Sequence, residues 1–141
     1  MKLNKRILLA AAVLSLAAVG ATQVQQLLKV LGVGAVVQKF GPDINKAVNK
    51  LSNHKDTSTS ITKVVPIISG GIGGRTAIGA AQVMGKKADV DKVNAVAQIE
   101  QDILGKEVKI RAMIPITSKD VIKDIRAVPG VGISGIVDLK L

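Results

Sequence analysis

The chain has 141 residues, a net charge of +10, no cysteine, no tryptophan, no tyrosine and one phenylalanine. This composition excludes disulfide staples and thiolate metal sites, and it leaves almost no aromatic platform for stacking bases or sugars. Val, Ile, Leu and Ala must pack a single-domain core, and the cationic excess favours anionic partners such as lipid head groups, wall polymers, acidic glycans or nucleic acid.

The first element is a targeting segment. Lys2, Lys5 and Arg6 form a basic start, Ile7 to Val19 is an apolar run of 13 residues, and Val19-Gly20-Ala21 supplies small residues for cleavage. The run is too short to cross a bilayer as a helix, and the layout is that of a bacterial secretory signal peptide. An uncleaved anchor continued through Val24 to Val37 is the alternative. Gln23, Gln25, Gln26 and Lys29 interrupt that continuation. Cleavage after Ala21 removes three positive charges and no negative ones, which takes the net charge from +10 to +7. The expected destination is extracellular, periplasmic or the cell envelope.

Val24, Leu27, Leu28, Leu31 and Ala35 recur at helical spacing. Val33, Val36, Val37 and Phe40 lie on another side, so this first helix wants more than one neighbour: another element, a second copy or a membrane. Gly41-Pro42 is expected to end it. "PDINKAVNKL" then reads as a second helix opened by proline, with Ile44, Ala47, Val48 and Leu51 inward. Ser52 to Ser60 reads as a polar loop. "TKVVPIIS" and "RTAIGAAQVM" read as the strands of a hairpin turned by Gly70 to Gly74. Pro66 places the first of them on an edge or at a bulge. The small residues Ala77, Gly79 and Ala81 on the second call for a close neighbour.

"ADVDKVNAVAQIEQDILG" reads as a long helix, with Asp89 as its N-cap and Gly105 as its stop. "KEVKIRAMIPI" alternates as a strand. Ser118 to Arg126 reads as a short helix, and "VGISGIVDLKL" as the last strand. The expected fold is α+β: a small antiparallel or mixed four-stranded sheet built from β-hairpin, helix, strand, short helix and strand. Helices cover one face, and two N-terminal helices precede it. The expected organisation is signal peptide 1–21, helical segment 22–51, polar loop 52–61 and sheet domain 62–141, with 22–141 as one folded unit.

The glycine-rich stretch fails as a phosphate cradle. Gly74 and Gly79 have the five-residue spacing of a Walker loop, but Ala80-Ala81 follow where Lys and Ser or Thr are required. Gly71 and Gly73 lead to Thr76, where a dinucleotide fingerprint needs Gly or Ala. Val128-Pro129-Gly130-Val131-Gly132 resembles the hairpin of helix-hairpin-helix DNA-binding motifs. The resemblance implies that the turn Pro129, Gly130, Val131 and Gly132 holds a phosphate through the backbone N–H groups that follow the proline, which itself has none. It departs at Ile133 and Ile136, and the residues that should form the second helix alternate as a strand does.

Glu100, placed on the apolar stripe of the long helix between Val93 and Val96, calls for a buried cationic partner, with Arg75 and Arg111 the candidates. A functional carboxylate in a pocket is the enzymatic alternative. His54 stands alone in its loop and no ligand set is recognisable, so neither a metal nor a cofactor is expected. Lys109 and Arg111, joined by Lys140, form the candidate surface for anions. The expected function is therefore non-catalytic: binding or assembly in the cell envelope, on lipid head groups or wall polymer. Exported DNA binding and a small hydrolase or ligand-binding enzyme using Glu100 are the alternatives.

Overall fold

One helix, not two, precedes the sheet among the described residues. A computed structural model of the chain describes residues 32–69, 77–117 and 126–139. Helix α1 spans Val33–Leu51 and runs through Pro42 without a break. Proline costs a helix one backbone hydrogen bond and crowds the residue before it. That residue is Gly41, which has no Cβ for the ring to strike. Gly41 is also buried, and a Cβ there would stand 3.7 Å from the Val64 carbonyl oxygen. The helix persists because both halves face the sheet. Val36, Val37 and Phe40 are buried before the proline, and Ile44, Asn45, Val48 and Asn49 are half-buried after it. The inner arc therefore differs from the expected one: Ala47 is exposed, and Leu51 is 89% exposed.

Among the described residues the sheet has five strands, not four: β1 Ile61–Ser69, β2 Ala77–Gly85, β3 Ala95–Ile103, β4 Val108–Ile116 and β5 Gly132–Val137. Their order is β4-β3-β1-β2-β5, with β1 and β3 parallel and every other pair antiparallel. The extra strand is β3, in the stretch expected to be a long helix. Only one helical turn forms there, α2 at Lys87–Val90. From Ala95 onward the residues carry two periodicities at once. Ala95, Ala97, Ile99 and Ile103 alternate with Val96, Gln98, Glu100 and Asp102. That alternation matches β4, and the two strands pair from Ala95↔Ile116 to Ile103↔Val108. Tertiary pairing overrides local helical spacing. Gly105 does not end a helix; it turns the β3–β4 hairpin at φ 66, between Leu104 at φ 53 and Lys106 at φ 77.

Pro66 lies in the central strand rather than at an edge. Its position is tolerated because β1 pairs with β3 only from Ile67 to Ser69, so Pro66 stands beside an unpaired flank. A register shift follows it, between Ile67 and Ile68. Helices also cover both faces, not one. α1 packs on β1 and β2, where Val37, Val64 and Ala80 form a cluster. The opposite face buries Val65, Ile67, Ala81, Val83 and Val96 under Val90 of α2, Val93 and Val128. The sheet curls around this second cluster, with Met113 from β4 and Ile133 from β5 both packing on it. Ile116 also bridges Ala127, so the two edges of the sheet approach each other. The expected turn at Gly70–Gly74 and most of the short helix expected at Ser118–Arg126 lie outside the described residues.

Candidate functional site

Among the described residues, the early part of β1 has no strand on its β3 side, and α1 crosses above that gap. Between them lies a groove of about 390 Å³, within the ~300–1,000 Å³ range of small-molecule sites. Val37, Val64, Val65 and Pro66 give it apolar walls, and Gln38, Asn45, Thr62 and Asn94 add polar groups. Among the described residues, Lys63 is the one charged residue of the lining. Its ammonium donates to the Val93 carbonyl oxygen at 2.7 Å, which uses one of three N–H donors. Gly34 and Gly41 of α1 border the groove, and at Gly41 the helix backbone comes close to Val64 of its floor.

Beside the groove, α1 is held to the sheet by a chain of amides. Asn45 and Asn49, one turn apart, both accept from the Gln82 side-chain amide, at 2.9 and 2.7 Å. Gln82 is fully buried. Its carbonyl end accepts from the Ser134 hydroxyl at 2.7 Å. The two asparagines also donate to the Thr62 hydroxyl at 3.0 and 2.8 Å, and that hydroxyl donates to Asp56 at 2.7 Å. Thr62 Oγ1 thus gives its one hydrogen and fills both acceptor positions. Burying so many polar atoms is tolerable only because each finds a partner.

The network reaches the Ser52–Ser60 loop but does not make a nucleophilic site there. His54 Nε2 lies 3.3 Å from Asp56 Oδ1, close enough for an ion pair when protonated, yet it has no aligned hydrogen-bond partner. A nucleophile must give its proton to the base. Here the Thr62 hydroxyl gives it to the carboxylate, and His54 lies beyond. Thr62 is also only 7% exposed.

The residues singled out from sequence fall elsewhere. Glu100 and Arg111 meet, with Arg111 Nε donating to Glu100 Oε1 at 3.1 Å. The pair is exposed on paired strands rather than buried on a helix. Lys109 Nζ lies 3.9 Å from the other oxygen of Glu100 and faces Asp102 across the strands. Two cations and two acids therefore share this surface. Arg75 and Lys140 lie outside the described residues. Pro129 and Gly130 form an exposed turn, but Gly132–Val137 continues as strand β5, where a helix-hairpin-helix motif needs its second helix. Among the described residues no group of His, Cys, Asp and Glu gathers to hold a metal ion, and no helix is long and apolar enough to cross a membrane.

The groove and its amides went unread in the sequence. One signal for them was present: Asn45 and Asn49 flank Ile44 and Val48 at helical spacing, and Gln82 interrupts a run of small buried residues. Compared with protein-family models, curated proteins and solved structures, the chain matches none.

Proposed function

We propose that this chain is an exported, non-catalytic binding or assembly protein of the bacterial cell envelope, whose groove takes an anionic component carrying an apolar portion, such as a lipid. The observation that carries this reading is the lining of the groove. Among the described residues, apolar walls and amides surround one lysine. A lone cation in a half-apolar cleft favours a ligand with a negative head and an apolar body.

The exposed lysines of α1, Lys39, Lys46 and Lys50, add long-range attraction outside the groove. Lys109 and Arg111 contribute less, because Glu100 and Asp102 offset them.

The test is a pull-down of immobilised protein against envelope fractions and anionic vesicles at low and high salt. Binding is expected to fall as salt rises. Lys63→Gln should weaken it roughly fivefold, since one basic residue near an anionic surface contributes about 1 kcal/mol. Salt-independent or absent association contradicts the reading.

A further inference from the structure

We propose that the protein docks on an anionic lipid bilayer through the outer side of α1. Lys39, Lys46 and Lys50 are exposed there. Positions seven and eleven residues apart return to nearly the same side of a helix, so the three lysines form one row about 17 Å long. α1 is unbroken over this length, and its buried residues Val36, Val37 and Phe40 fix which side faces the sheet. Among the described residues none of the three lysines pairs with a carboxylate. Lys39 Nζ lies over the Phe40 ring, 5.6 Å from its centroid, a contact that leaves its charge unneutralised. By contrast Lys87 bonds Asp91, and Lys109 and Arg111 flank Glu100. Asp43 is the one acid of α1.

This rests on the reading that the groove takes lipid, and it adds where that lipid comes from. Gln38 and Pro42 both line the groove and are exposed. Gln38 adjoins Lys39, and Pro42 stands one turn before Lys46, so a surface lying on the lysine row also borders the groove. A bilayer fits this row better than a soluble polyanion because of Leu51. That residue follows Lys50, ends α1 and is 89% exposed. A hydrophilic polymer gains nothing from a leucine. A bilayer takes apolar side chains beneath its head groups, beside the lysines that hold the helix there. Each lysine close to an anionic membrane strengthens binding about fivefold, and three together about a hundredfold. The attraction is lost as salt screens it.

The absence of cysteine allows a single label to be placed at will. In the full chain, an environment-sensitive fluorophore on Ala47→Cys, an exposed α1 position, should report lipid contact on vesicles of phosphatidylglycerol and phosphatidylcholine. The same label on Lys92→Cys, next to Val93 on the other side of the sheet, should not. Lys39→Gln, Lys46→Gln and Lys50→Gln together should raise the lipid needed for half-maximal contact about a hundredfold, against about fivefold for Lys63→Gln. Asp43→Lys should give the opposite shift, a lowering of at least about fivefold. Contact at Lys92 in place of Ala47, equal losses in the triple variant and Lys63→Gln, or no gain from Asp43→Lys overturns the proposal. So does tighter binding, per phosphate, to soluble polyphosphate than to the vesicles, which would make a polymer the partner. Binding of a short-chain anionic lipid in the groove should survive the triple substitution, which tells failure of the groove reading from failure of this one.

Discussion

The β1–β2 pair and the β3–β4 pair are both built from nine-residue strands, but they meet different surroundings. Ala80, Ala81, Gln82 and Val83 of β2 are all buried, under α1 on one side and the curled core on the other. In β3 burial ends after Ala97, and the residues beyond are largely exposed. The glutamines show what this does to the same side chain. Gln82 is sealed in and engages Asn45, Asn49 and Ser134. Gln98 makes one exposed bond to Glu100 at 3.1 Å, and Gln101 is exposed. Burial, not strand formation, decides where a polar group becomes structurally expensive.

Substitutions in the two regions should separate accordingly, as read by urea unfolding. Gln82→Ala should do most damage. It leaves a void and strips partners from two asparagines and a serine, at about 3–5 kcal/mol. Gly85→Ala comes next. A Cβ there would stand 2.7 Å from the Gly130 carbonyl oxygen, so the turn before β5 must shift, at about 1–3 kcal/mol. In the β3–β4 pair the effects are smaller and one changes sign. Lys106→Gly should stabilise by about 1 kcal/mol, because it releases a side chain from a left-handed turn position. Glu100→Gln should cost under about 0.5 kcal/mol, since its partners are exposed and solvated. A larger loss at Glu100 than at Gln82 would break the contrast between the regions.

The same contrast explains what could be read from the residues alone. β4 and β5 alternate apolar and polar positions, and the hairpin strands β1 and β2 are short, β-branched or small-residue runs bounded by glycine; these are local signals. β3 was hidden because Val90, Val93, Val96 and Ala97 also fit a helical stripe. Only the facing alternation of β4 resolves the two, and that is non-local information. The continuity of α1 was hidden by Pro42, whose usual meaning is cancelled by the glycine before it. The groove was less legible still. Its walls come from α1, β1 and Asn94, and it exists because β3 joins β1 late, at Ile67. No local pattern encodes where a neighbouring strand begins.

The groove is the centre of the functional account, and an amide-resolved titration with a short-chain anionic lipid addresses it directly. Salt-sensitive shifts are expected to concentrate in Gly34–Asn45 and Thr62–Pro66 and to be reduced by Lys63→Gln, with the Lys109–Arg111 region unmoved. Shifts centred on Lys109 and Arg111, or none anywhere, would contradict it.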